Sequence, residues 1–365
     1  MSGPRASAPI LLALHVLLLA VLCIANPEQF PSSPATIAFH ISVNEAQLPL
    51  LERFFFRIYH PSNLYLLTFA HSLDPRAKSA RITGRNVHIR SAEPYVPDGV
   101  SEAINILDAM AYFLDREDAL ASDKPSFDYY IHCTPNDYPT VTAERMRTLL
   151  GFARDHLDAA TFFHFTHTSQ LPLFDGELSR IHIDYSLSFN RSLTLEEGLE
   201  ATKSYHPDHR RRTAEILRTD KHFVAHRRYV KIAADSMLSK HLLMSLGDAS
   251  HVFEHFFGSL AAAASEENIK LIRTTSLRCT NFNDLDRAVK HILPGYKPRS
   301  PSTDFLLRTV EPCLFTGPFP DDGPENLAIR NRIDMELLIA PGTQGRPEGP
   351  SYHDRVYGNL KRLVS

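Results

Sequence analysis

Two apolar runs with a single helical stretch between them fix the fold class near the start of the chain. Ile37-Ala38-Phe39-His40-Ile41 reads as a buried strand, and Leu64-Tyr65-Leu66-Leu67-Thr68-Phe69 reads as a second. Between them, after the turn Ser42-Val43-Asn44-Glu45, Leu48, Leu51, Phe55 and Ile58 recur near helical spacing. His60-Pro61-Ser62-Asn63 stops that helix. This β-α-β order implies parallel pairing through a right-handed crossover. A third strand at Asn86-Val87-His88-Ile89 and a helix from about Ser101 to Leu114 continue the alternation. The expected class is α/β with a mainly parallel central sheet.

Length and composition set outer bounds. The 365 residues are 43% hydrophobic and 22% charged, which allows one large or two smaller domains. A net charge of -3 gives no general reason to expect nucleic acid or an anionic membrane surface as partner. Four cysteines are too few for a disulfide framework, and their spacing matches no zinc pattern. Arg5 precedes an apolar run from Ala8 to Ala25 that, as a helix, spans roughly 27 Å. Residues 1–25 therefore read either as a cleaved signal peptide or as a signal anchor that leaves the rest of the chain on the far side of a membrane. Residues 26–34 form a short stem, and 341–365 a tail rich in Pro and Gly at its start. Asn190-Arg191-Ser192 is the only N-glycosylation sequon.

The stretch Phe127 to Val141, FDYYIHCTPNDYPTV, organises the middle of the chain. It begins as a strand, breaks at Thr134-Pro135-Asn136-Asp137-Tyr138-Pro139, and leads into a helix from about Thr142 to His156. Ligands bind α/β sheets where a strand delivers polar side chains into such a loop, although an ordinary turn gives the same pattern. Phe162, Phe163 and Phe165 mark a further strand. His164 and His167 fall on opposite faces of it, which argues against a metal pair. The string Asp284-Leu285-Asp286 fits the Asp-x-Asp metal pattern, but so short a match is common. Lys231 to Leu246 reads as a helix carrying Ile232, Met237, Leu238 and Leu242 toward a core, and Ile329 to Ile339 as a closing helix.

Several of these stretches, in order, resemble one family. Asp128, Tyr129, Ile131, Asp137, Tyr138 and Pro139 match its marked "DYFINLSGSDYPLKT" positions, and Ile37 to Tyr65 matches its opening β-α-β segment. Phe223 to Val230, Glu254 with Phe256, Phe257 and Ser259, Arg278, and Ile333-Asp334 follow in step. Over roughly residues 35–340, with a gap near 171–220, the chain resembles the core-2/I-branching β-1,6-N-acetylglucosaminyltransferase and peptide O-xylosyltransferase family. The resemblance implies a GT-A-like nucleotide-sugar transferase fold with a nucleotide-sugar-binding half at 35–170 and an acceptor-binding and catalytic half at 171–340. It also tips the N-terminal reading toward a single-pass type II anchor in the Golgi membrane, with a luminal catalytic domain.

The implied reaction is inverting transfer of N-acetylglucosamine or xylose from UDP-GlcNAc or UDP-xylose to a hydroxyl of a glycan or glycoprotein, with no metal and no other cofactor. Glu254 takes the position of the catalytic base, Asp137, Arg278 and Val43 those of the donor site, and Arg227 that of an acceptor contact. One carboxylate suffices for such chemistry. A base removes the acceptor proton during an in-line displacement, and the nucleotide diphosphate is already a good leaving group. Two departures bear on the donor. Ala70 stands where the family has Asp, and Thr316-Gly317-Pro318 replaces an Ala-Arg-Lys that would bind the diphosphate, a loss of ~2–3 kcal/mol. They keep a second reading open, a non-catalytic member that binds glycans or partners. A hydrolase would need a second carboxylate opposite Glu254, and none stands out.

Overall fold

The computed structural model describes residues 32–74, 81–119, 127–165, 216–247, 251–265, 269–273, 275–279, 313–319 and 323–338, together with 249 and 321. Its centre is a mixed, mostly parallel sheet. β1 (Ile37–Val43) leads through a 3-10 turn at Glu45–Gln47 into α1 (Leu48–Ile58) and back into β2 (Leu64–Phe69). β3 (Val87–Ser91), α2 (Val100–Ala119), β4 (Tyr129–Cys133), the short β5 (Tyr138–Pro139), α3 (Ala143–His156) and β6 (Thr161–Phe165) follow. β7 (Thr219–His226), α4 (Arg227–Asp235), α5 (Met237–Ser245) and α6 (Val252–Ser265) come next. Three two-residue strands, β8 (Leu271–Ile272), β9 (Arg278–Cys279) and β10 (Phe315–Thr316), precede α7 (Pro324–Ile333), which runs on into a π-helical turn at Asp334–Leu338.

The large sheet has the order β3-β2-β1-β4-β7-β6-β8, and β5-β10-β9 form a small second sheet. β1 pairs parallel with both β2 and β4, and β2 pairs parallel with β3. β7 runs antiparallel to β4 on one side and β6 on the other. Side chains alternate between two cores. Phe39, Ile41 and Val43 of β1 pack with Phe54, Phe55 and Ile58 of α1 and Leu149 and Leu150 of α3. Ala38 and Tyr130 face the other way, toward Phe113 of α2 and Phe253 and Phe257 of α6. A sheet covered on both faces needs near-continuous apolar strands, which is how β1, β2 and β4 read.

The local chemistry sets the element ends. Asn44 Oδ1 accepts from the Gln47 backbone N–H, and Gln47 Oε1 accepts from that of Asn44, a reciprocal cap that opens the first helix. Thr142 caps α3 through its hydroxyl. The single helix expected over Lys231 to Leu246 is two. Ser236 takes an extended backbone, caps α5 by accepting from Ser239 N–H, and leaves Met237 61% exposed, not in a core. Cys313 is disulfide-bonded, and Cys133 is a buried free thiol.

No helix among the described residues is long and apolar enough to cross a membrane. The single-pass type II Golgi placement expected from the sequence is corrected on that finding. The run 8–25 that carried it lies outside the described residues, as do the Asn190 sequon, the Asp284-Leu285-Asp286 string and the tail 341–365.

Candidate active site at the carboxyl edge of the sheet

Strand order locates the site. β1 has β2 on one side and β4 on the other, so the loops leaving β1 and β4 part in opposite directions and open a crevice at their carboxyl ends. A cavity of about 460 Å³ lies there, lined by Ser42, Thr68 and His132 near the ends of β1, β2 and β4, and by Asn44, Ala70 and Thr134 just past them. Its size falls in the ordinary range for a small-molecule site. Because β7 is reversed, it contributes its beginning, Asp220-Lys221-His222, to the same edge. Glu254 from α6, Arg278 from β9 and Pro318 close the wall.

Asp137 sits in the loop after β4. Its Oδ2 accepts from the Thr134 backbone N–H at 2.8 Å and so closes its own turn. Its Oδ1 meets Arg278 Nη2 at 2.6 Å. That contact is a meeting of charges, not an aligned hydrogen bond. Asp137 Oδ1 and Arg278 Nε are both buried without a hydrogen-bond partner among the described residues. Burial alone pushes the Asp137 carboxyl up, but Arg278, His222 and the Thr134 N–H outweigh it and hold it below its ordinary value. His222 Nε2 lies 3.9 Å from Asp137 Oδ1.

Glu254 lies in the first turn of α6, a favourable place for a carboxylate at a helix N-terminus. Arg218 directs two nitrogens at one oxygen, with Nε at 2.8 Å and Nη2 at 2.7 Å from Oε2. The Glu254 carbonyl accepts from Thr219 Oγ1, which ties the helix to the start of β7. Gly258 makes that close approach possible, because a Cβ there would stand 2.1 Å from Thr219 Cγ2.

Two imidazoles face the cavity from adjacent strands. His132 Nε2 contacts Ser42 Oγ at 3.1 Å, and its Nδ1 is buried without a partner among the described residues. Burial first, then His222, lower the His132 pKa to about 3 against the opposing pull of Asp137. Burial and then Arg278 lower His222 to about 4. Beside them Lys221 pairs with Asp98 and with Glu102, at 3.2 Å from the latter. Burial works against its ammonium charge, but the two carboxylates outweigh it and hold the pKa above the usual lysine value.

Asp137, Glu254 and Arg278, drawn from three distant stretches of sequence, thus share one cavity. Val43 ends β1, but its side chain is in the core and its carbonyl accepts from Ala70 N–H. Its neighbours Ser42 and Asn44 are the lining residues. Arg227 is not among the described residues that line the cavity. It follows His226, which pairs with Tyr129 at the opposite end of β4. At Thr316-Gly317-Pro318 the chain gives backbone where the resemblance leads one to expect charge. Gly317, with φ of 150°, packs so closely that a Cβ would stand 2.8 Å from the Asn136 carbonyl and 3.2 Å from Arg278 Nη2. Sequence reasoning missed His132, His222, Lys221 and Arg218. The polar residue amid the apolar run Tyr129–Cys133 was the available signal for His132. Among the described residues no group of three or more His, Cys, Asp or Glu is arranged to hold a metal ion.

No protein-family model matches the chain, and comparison with curated proteins gives no match. Among solved structures the chain is similar to the crystal structure of mannose-1-phosphate geranyltransferase from Thermus thermophilus. The two share 12% identity and a TM-score of 0.28, over 66% of this chain and 74% of that one. So distant a likeness carries no argument. What the sheet order and cavity define on their own is a mixed α/β protein with a candidate site, a cavity at the reversal of its strand order.

Proposed function

We propose that this chain is an inverting glycosyltransferase of GT-A-like fold. It would move N-acetylglucosamine or xylose from a UDP-sugar to a hydroxyl of a glycan or protein, with Glu254 as general base. One observation carries the reading: Asp137, Arg278 and Glu254 line one cavity at the switch point of a mostly parallel sheet. In the reaction the acceptor O–H gives its proton to Glu254 while its oxygen attacks the anomeric carbon from the face opposite the nucleotide. The bond from that carbon to the diphosphate breaks, the electron pair leaves with UDP, and the configuration inverts. Arg218 holds Glu254 through Oε2 and leaves Oε1 without a partner among the described residues, available to the acceptor. Arg278 would stabilise the departing diphosphate.

A second reading, a protein that binds glycans or partners without turnover, has its own support. The wall offers Pro318, next to Gly317, where a basic pair would hold the diphosphate. Release of UDP from UDP-GlcNAc and UDP-xylose, measured with the full chain, a panel of glycan acceptors and no added metal, separates the two. Glu254→Gln is expected to bind donor as the wild type does and to lose turnover by about 10²–10⁴-fold. Unchanged turnover in that variant removes Glu254 from the mechanism. Failure of the wild type to bind either donor moves the reading to the binding protein.

A further inference from the structure

The cavity poses an electrostatic problem for the ligand just proposed. Among its described lining residues two cations, Lys221 and Arg278, stand against four carboxylates, Glu102, Asp137, Asp220 and Glu254. Arg218 behind Glu254 and Asp98 beside Lys221 offset one another. Asp220 is also met by His164, at 3.0 Å, and the diphosphate of a UDP-sugar is a dianion. Lys221 is already engaged by two acids and Arg278 by one. No cation among the described lining residues is thus without an acidic partner, and a dianion bound beside these carboxylates is favoured by added positive charge.

The wall has an internal source for it. His132 and His222 come from the adjacent strands β4 and β7, and together with Asp137 and Arg278 they also line a small recess at the cavity floor. We propose that His132 and His222 recognise the donor's diphosphate as imidazolium ions, each taking a proton from solvent as the dianion enters. This assignment rests on the transferase reading and supplies the charge that Thr316-Gly317-Pro318 does not.

The surroundings of each ring fit the role. His132 is faced from β1 by Ser42 and by the His40 ring at 5.1 Å, and from α6 by the Phe253 ring at 5.7 Å. From β7 it feels Lys221 and His222, and from the following loop Asp137. His222 is faced by Asp137 from that loop and by Arg278 from β9, with Asp220 and Lys221 beside it on β7. Glu254 on α6 is paired with Arg218, and Glu102 on α2 with Lys221, so neither carboxylate is free to charge the imidazoles in the empty site. Burial and the neighbouring cations keep both rings neutral there, with pKa values of about 3 and about 4. An arriving dianion places negative charge beside both rings and favours their protonated form. The buried Nδ1 of His132, which has no partner among the described residues, is a donor held in reserve.

Calorimetric titration of the full chain with UDP-GlcNAc and with UDP-xylose tests this. Neither donor carries a diphosphate proton that titrates between pH 5.5 and 7.5. Proton uptake is read from heats in buffers of different ionisation enthalpy. The expected result is net uptake at pH 6.5 and a Kd that falls by about tenfold or more from pH 7.5 to 5.5. His222→Gln and His132→Gln, each checked for folding by its melting profile, are each expected to remove part of the uptake and flatten the pH dependence. Donor binding with no uptake and a flat Kd overturns the proposal and leaves the transferase reading standing. Absence of binding at every pH overturns both.

Discussion

Asp137 is 1% exposed, and its charge is balanced chiefly by Arg278. Removing one partner of a buried ion pair strands the other, which costs more than the pair contributes. Arg278→Gln is therefore expected to lower unfolding free energy by about 3–5 kcal/mol. Adding Asp137→Asn should return part of that loss, because an amide keeps the turn-closing acceptor for Thr134 N–H without a stranded charge. Denaturant titration of the two single variants and the double checks this, and strictly additive losses would contradict it. Asp137 and Arg278 were legible in the sequence because each lies in a stretch that resembles one family. His132 and His222 were not legible. His132 sits among aromatic and apolar neighbours, which are what periodicity detects, and His222 follows the polar start of its strand, Asp220-Lys221. What matters about them is the adjacency of β4 and β7, which no local pattern contains.

Elements were more readable than sites. Runs of β-branched and aromatic residues gave β1, β2, β4 and β6, and helical spacing gave α1 and α3. The break at Ser236 escaped because a serine interrupts a helix only when its hydroxyl caps the next one, and apolar spacing does not register a cap. The packing of α6 on β7 was likewise invisible, though it sets the position of Glu254. Gly258→Ala is expected to force helix and strand apart against Thr219 and to cost about 1–3 kcal/mol. Thr219→Ser in that background removes the methyl, which lies nearer than the hydroxyl, and should recover part of the melting temperature. An unperturbed melting temperature in Gly258→Ala would show that the contact is looser than the geometry states.

At the scale of the whole molecule, pH acts through buried neutral imidazoles. Burial, as the first cause in each case, lowers His132 to about 3 and both His222 and His226 to about 4. The unfolded chain binds protons on these residues below about pH 6.5, whereas the folded chain does not until far lower. Their contribution to stability is therefore present above pH 6.5 and is lost as pH falls toward 4. At pH 5.5 the loss is about 1 kcal/mol for each. Denaturation curves at pH 7.5 and 5.5 without ligand measure it, and a stability that rises in acid would refute it. The reversed strand β7 bears on the making of the molecule as well as on its site. It alone joins β4 to β6, and it is translated long after both. At the usual ~5–20 residues per second, a growing chain that has completed β4 waits on the order of ten seconds for the strand that covers its edge. Through that interval the edge of β4 away from β1 lacks its partner among the described strands, and such an edge is open to another extended chain. Pairing of that edge with another extended chain thus competes with folding until β7 has been made.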